Sequence, residues 1–174
     1  MEFLVSIVAL IGAMSVLNLL LTMAVIRRLK QKPSDPVEPD LPELPAGSKL
    51  PVFRGESVSG AVVASADLAG SGSLFAFFDT GCSVCKPTVP KLVEYARDNG
   101  LKADQVIAVI GGDRVAATEY VEELDGAATV IVEETLGPVA SAFSITGIPA
   151  FVEVDSTGTV VRSGTARSVL TARV

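Results

Sequence analysis

Hydrophobic and polar positions divide the chain into three stretches. From Phe3 to Ile26 no charged residue occurs and most positions are Leu, Val, Ile, Ala or Met. A helix over that stretch rises about 36 Å, enough to cross a bilayer. A polar, proline-punctuated stretch follows, and from about Ser48 short apolar runs alternate with amphipathic ones. The pattern predicts strands near 61–64, 74–78, 105–110, 128–132, 150–154 and 158–163. Helices are predicted near 82–99, 114–124, 135–143 and 165–172. Val106-Ile107-Ala108-Val109-Ile110 is apolar throughout, as a central strand covered on both faces requires, and Asp155-Ser156-Thr157-Gly158 reads as a hairpin turn. The alternation is that of an α/β domain ending in an antiparallel hairpin.

Three segments follow: an anchor at 1–26, a basic flank and proline-rich linker at 27–47, and a globular domain at 48–174. A cleaved signal would carry its basic residues first; here the chain begins Met1-Glu2 and Arg27, Arg28, Lys30 and Lys32 come after the apolar run, which favours a retained single-pass anchor. Prolines then stand at 33, 36, 39, 42 and 45. A period of three matches the three residues per turn of polyproline II and predicts a stiff spacer about 40 Å long. The simpler role for it is a standoff that holds the domain clear of the headgroups; the other is a ligand for a proline-binding domain.

Composition narrows the chemistry. The 174 residues contain no His and no Trp, which excludes Ser-His-Asp and Cys-His catalysis and histidine-based metal centres. Lys and Arg total 14 against 20 Asp and Glu, a net charge of -6 with no basic footprint for nucleic acid. Gly111-Gly112-Asp113 lacks the remainder of a dinucleotide or P-loop motif and reads as a turn closed by an Asp113 helix cap.

The only two cysteines stand at Cys82 and Cys85, directly after the apolar run Leu74–Phe78. Two thiols at this spacing at the start of a helix can close a small disulfide, and the helix N-terminus favours the thiolate of the first. Cys82 is then the attacking thiol and Cys85 the resolving one. A structural zinc site needs four ligands and the chain offers no further Cys or His, so no metal and no cofactor is expected. The remaining alternative is an inert buried pair.

Three elements together resemble the thioredoxin-fold oxidoreductases. They are Phe77-Phe78 followed by Cys82-Ser83-Val84-Cys85-Lys86 with Pro90 beyond, then Gly147-Ile148-Pro149-Ala150-Phe151, and then the terminal hairpin. An N-terminal anchor and linker, with Leu50-Pro51-Val52-Phe53 opening the domain, is similar to the membrane-tethered TlpA, ResA and MauD-like branch. The resemblance implies a thioredoxin-like fold, a central mixed sheet flanked by helices, and a membrane-tethered thiol-disulfide oxidoreductase that reduces or exchanges disulfides in partner proteins. It implies that Pro149 is cis and lies beside the cysteines, and that the Ile148 backbone pairs with the substrate chain.

Two positions depart from the family pattern: Gly81 replaces the usual Trp, and Ala76 the acid often buried in the preceding strand. Asp79 is then a substitute base or a helix cap, and Lys86 a thiolate-favouring charge or an ordinary surface lysine. Ser83-Val84 between the cysteines predicts a couple less oxidising than a Cys-Pro-His-Cys enzyme. A peroxiredoxin would carry a threonine where Asp79 stands, and a copper-delivery protein of this fold would need a histidine. The rival from another class is a non-enzymatic, membrane-tethered binding module that uses the cis-proline groove. The basic flank after the helix argues for a cytoplasmic domain, the resemblance for an extracytoplasmic one, and the latter is the expectation adopted. A separate thiol donor is expected, a membrane thiol carrier if the domain is outside.

Overall fold

The computed structural model describes residues 2–31, 44–68 and 70–171. It divides into two units, Met1–Glu38 and Pro39–Val174. In the first, a single helix α1 (Glu2–Gln31) runs through the apolar stretch and on past residue 26. Its segment Val5–Met23 has a mean hydropathy of 2.2 with none of it buried, long and apolar enough to cross a membrane by length and composition. Of the expected spacer, Pro33, Pro36, Pro39 and Pro42 lie outside the described residues, as does Lys32.

The second unit is built on a five-stranded mixed sheet in the order β5-β4-β3-β6-β7. Its strands are β3 (Ser73–Asp79), β4 (Val106–Gly111), β5 (Thr129–Glu133), β6 (Ala150–Val154) and β7 (Val160–Gly164). β3, β4 and β5 are parallel, whereas β6 runs antiparallel to both β3 and β7. A two-stranded ribbon, β1 (Arg54–Glu56) with β2 (Val62–Ala64), precedes the sheet. The helices are α2 (Val89–Asp98), α3 (Arg114–Glu123), α4 (Pro138–Ala142) and α5 (Ala166–Val169).

β3 is buried along its apolar length, and its alternation feeds two separate cores. Leu74, Ala76 and Phe78 pack with Leu92, Tyr95, Ala117, Tyr120, Leu124 and Val169 from α2, α3 and their neighbours. Phe75 and Phe77 pack on the opposite face with Phe53, Val63, Leu68, Val139 and Phe143. Phe143 is the hub of that second core: its ring centroid lies 4.6 Å from Phe75, 5.1 Å from Phe77 and 5.5 Å from Phe53.

Local chemistry sets the element ends. Asp113 caps α3 by accepting from Val115 N–H and Ala116 N–H, as its place after Gly111-Gly112 predicts. Asp155 Oδ1 accepts from Thr157 N–H and Thr159 N–H, and Gly158 at φ 72° completes the hairpin turn. Three expected elements change. The helix expected over 82–99 is α-helical only from Val89, after a 3₁₀ turn at Lys86–Thr88, because Pro87 and Pro90 lack the N–H groups that an α-helix would use. The helix expected from 135 starts at Pro138, since Leu136 at φ 52° breaks the chain and Glu133 caps the new start through Val139 N–H and Ala140 N–H. The last helix stops at Val169, and β1 is a strand that the pattern of polar residues at 54–56 did not announce.

The packing of the domain begins ahead of residue 48. Leu44 lies against the second core, and its carbonyl accepts from Ser163 Oγ. The segment then runs beside β7: Gly47 N–H donates to Val160 O, Val160 N–H to Ser48 O, and Leu50 N–H to Gly158 O. At the other edge, Ser57 bridges Ile131 and Val58 N–H donates to Val130 O.

Phe143→Ala in the full chain is expected to cost about 3–5 kcal/mol, because one truncation empties the centre of a four-ring cluster. Denaturant titration checks it through a lower midpoint at unchanged slope; a loss below about 1 kcal/mol would mean that the neighbouring rings collapse into the space.

Candidate active site

The C-terminal end of β3 is where the sheet delivers the cysteines. Asp79 ends the strand, and both its carbonyl and its carboxylate are engaged. The carbonyl accepts Cys82 N–H at 3.1 Å and the Tyr120 hydroxyl at 3.3 Å. Carboxylate Oδ1 accepts Gly81 N–H at 2.8 Å, and Oδ2 accepts the Thr135 hydroxyl at 2.7 Å. Thr80 ties the same loop to the start of α3: its N–H donates to Gly111 O and its Oγ1 accepts Asp113 N–H. Gly112, at φ 108°, has the left-handed backbone that favours glycine, and an added Cβ would collide with Thr80 Oγ1.

Cys82 and Cys85 are joined as a disulfide, with their Cα atoms 5.4 Å apart. Their turn precedes the α-helix proper. Cys85 N–H donates to Cys82 O and Thr88 N–H to Cys85 O, while the Thr88 hydroxyl donates to Val84 O at 2.7 Å. Those short-range bonds replace the α-helical ladder that the two prolines interrupt. The two sulfurs differ in access: Cys82 is half-buried, and Cys85 has no exposed surface.

The Ile148–Pro149 peptide bond is cis. Cys82 Sγ lies 3.8 Å from the Ile148 carbonyl oxygen, so the loop before β6 meets the first cysteine directly. Ile148 also packs against the core that holds Cys85. The structure thus brings together Cys82, Cys85, Asp79 and the Ile148–Pro149 bond. Ala76 sits fully buried in β3, paired between Ala108 and Phe151, and supplies no acid beneath the cysteines.

Lys86 points to α3. Its ammonium pairs with Glu119 and lies 5.5 Å from the centroid of the Tyr120 ring. The hydrogen bond from Lys86 to Glu119 holds the lysine above its ordinary value of 10.5 and the carboxyl below 4.5. Burial pushes the Tyr120 phenol above its ordinary 10.0. Between these groups and the turn lies a cavity of about 310 Å³, lined by Thr80, Cys82, Ser83, Lys86, Glu119 and Tyr120. Glu119, Tyr120 and Thr135 are absent from the residues that sequence reasoning selected. For Glu119 and Tyr120 the one sequence signal is that they share a face of α3 with Ala116 at i, i+3 and i+4 spacing; Thr135 carries none. Among the described residues, no three His, Cys, Asp or Glu side chains gather into a metal-binding group.

A mixed sheet that presents a Cys-x-x-Cys disulfide against a cis-proline loop is a thioredoxin-like fold with a dithiol site. The family model described as Redoxin matches residues 45–171, and the chain belongs to that family. Among solved structures, the thioredoxin domain of a Bacteroides vulgatus thiol-disulfide oxidoreductase is 23% identical, with TM-score 0.59 over 71% of this chain and 90% of its own. A thiol:disulfide interchange protein from Bacteroides sp. is 25% identical, with TM-score 0.56 over 69% and 81%. A secreted disulfide oxidoreductase of Mycobacterium tuberculosis is 23% identical, with TM-score 0.52 over 62% and 79%. Comparison with curated proteins gives no match. Family membership and the Cys82–Cys85 pair make this chain a thiol-disulfide oxidoreductase.

Asp79→Ala is expected to destabilise the domain by about 0.5–1.5 kcal/mol, because it removes the acceptor of Gly81 N–H and of the Thr135 hydroxyl, both exposed to water. Asp79→Asn retains an acceptor for Gly81 and should lose less than half as much in thermal or denaturant unfolding; equal losses would assign the effect to charge instead of hydrogen bonding.

Proposed function

We propose that the chain is a membrane-tethered reductase or exchanger of disulfides in partner proteins, with Cys82 as nucleophile and Cys85 as resolving thiol. The observation that carries the assignment is the asymmetry of access: a partner disulfide reaches the half-buried Cys82 and cannot reach Cys85. In the dithiol state the Cys82 thiolate attacks one sulfur of the substrate disulfide. A Cys82–substrate bond forms, the substrate S–S bond breaks, and the departing thiolate takes up a proton. Cys85 then gives up its proton and attacks Cys82 Sγ, expelling the second substrate thiolate, which is protonated in turn. The substrate gains two electrons and two protons, and the protein is left with the Cys82–Cys85 disulfide found here. A separate thiol donor restores the dithiol.

In this reading the Ile148 backbone and Pro149 receive the extended substrate chain beside Cys82, supported by the 3.8 Å approach of Ile148 O to the sulfur. Asp79 acts on the site by fixing the loop that precedes Cys82, and Lys86 lines the cavity beside Cys82. Segment 1–26 is the anchor, 27–47 the standoff and 48–174 the catalytic domain, whose first packing contacts reach back to Leu44. The domain faces the extracytoplasmic side. The description of the Mycobacterium tuberculosis relative as secreted supports that side, and the basic residues after the apolar helix oppose it.

Cys82→Ser is expected to abolish disulfide turnover, while Cys85→Ser accumulates a mixed disulfide with substrate, seen as a reductant-sensitive adduct on non-reducing gels. Full function in Cys82→Ser would instead establish the non-enzymatic binding module. Sidedness is read by labelling intact cells with a membrane-impermeant maleimide after brief impermeant reduction, with the double Cys→Ser chain as blank. Labelling before lysis is expected; labelling only after lysis would place the domain in the cytoplasm.

A further inference from the structure

We infer that Glu119 is a positioning residue that holds the Lys86 ammonium away from Cys82 and thereby keeps the Cys82–Cys85 couple on its reducing side. The inference rests on the proposed redox role of that pair. Lys86 opens the 3₁₀ turn that follows the cysteines, four positions after Cys82. Both line the same cavity, so a lysine free to swing there would have the thiolate within its range. An ammonium beside a thiolate favours the ionised form, lowers the thiol pKa and stabilises the dithiol, which makes a couple more oxidising.

The structure gives Lys86 a different set of partners. Glu119 reaches it from α3, and the Tyr120 ring lies beneath it. The direction of both shifts, Lys86 up and Glu119 down, matches a charge committed to that pair. Other charged or titratable groups around the cavity are Tyr120, which burial keeps neutral, Glu123, whose field also falls on Lys86, and Asp79 at the end of β3. The cis-proline loop contributes Ile148 and Pro149, neither of which titrates. Lys86 is thus the cation that the cavity offers to Cys82, and Glu119 holds it. Glu119 pairs with the Lys86 ammonium, so its influence on Cys82 passes through the lysine.

The test is the equilibrium of the full chain with reduced and oxidised glutathione, together with the pH dependence of Cys82 thiolate absorbance. Four forms are compared: wild type, Glu119→Gln, Lys86→Met and the double variant. Glu119 is solvent-exposed, so its amide is not expected to disturb folding. Glu119→Gln is expected to lower the Cys82 pKa and shift the equilibrium toward the dithiol by about three- to ten-fold, tenfold being about 30 mV for two electrons. In the Lys86→Met background the same substitution should produce less than about a third of that shift on the logarithmic scale. An unchanged Glu119→Gln potential overturns the inference. An equal shift with and without Lys86 overturns it too, since Glu119 would then act by its own field. If wild type fails to equilibrate with glutathione at all, the redox role of the pair falls and the inference with it, an outcome that the two others do not share.

Discussion

β3 has no face left for water. Leu74, Ala76 and Phe78 point into one core and Phe75 and Phe77 into the other, each essentially without exposed surface. Such a strand forms only if both faces are covered at once, which is why α2 and α3 must dock on one side and Phe53, α4 and the β1–β2 ribbon on the other. Burying a Leu or Phe side chain contributes about 1.5–3 kcal/mol, so this one strand is among the largest single sources of stability in the domain. It also fixes where the chemistry happens, because the cysteines follow its last residue with only a two-residue turn between.

The turn after β3 is specified by few residues. Asp79 gathers hydrogen bonds from Gly81, Cys82, Tyr120 and Thr135, and so links the strand end to α3 and to the loop after β5. Pro87 and Pro90 tighten the helical segment behind the disulfide, and the Thr88 hydroxyl occupies Val84 O. Together these features seat Cys85 in the core and leave Cys82 half-buried, so that the two sulfurs differ in access.

Much of this was legible in the sequence wherever the signal is local. Gly-Gly-Asp before a helical pattern announced the α3 cap, Asp-Ser-Thr-Gly the hairpin, and the unbroken apolar run the central strand. The cis bond at Pro149 was anticipated through family resemblance, since no short-range pattern distinguishes it from a trans Ile-Pro. What escaped was tertiary in origin. β1 has three residues, two of them charged, and becomes a strand only because β2 and the sheet edge are there to pair with it. The start of α2 was placed too early because Pro87 and Pro90, which lack helix donors, were expected only to loosen or bend a helix running from 82, whereas they delay the α-helix to Val89. Glu119 and Thr135 lie 37 and 53 positions beyond Cys82 in sequence, so their partners Lys86 and Asp79 are chosen by packing alone.

The segments lying along the outer strands carry a further meaning. Residues 47–50 hydrogen-bond beside the start of β7, and Ser57–Val58 beside β5 at Val130 and Ile131, so part of each margin of the sheet is covered by the chain that enters the domain. Open margins are templates on which foreign strands polymerise. Threading the entry segment past both margins shields part of each from such pairing and leaves fewer unpaired backbone groups for a foreign strand to meet.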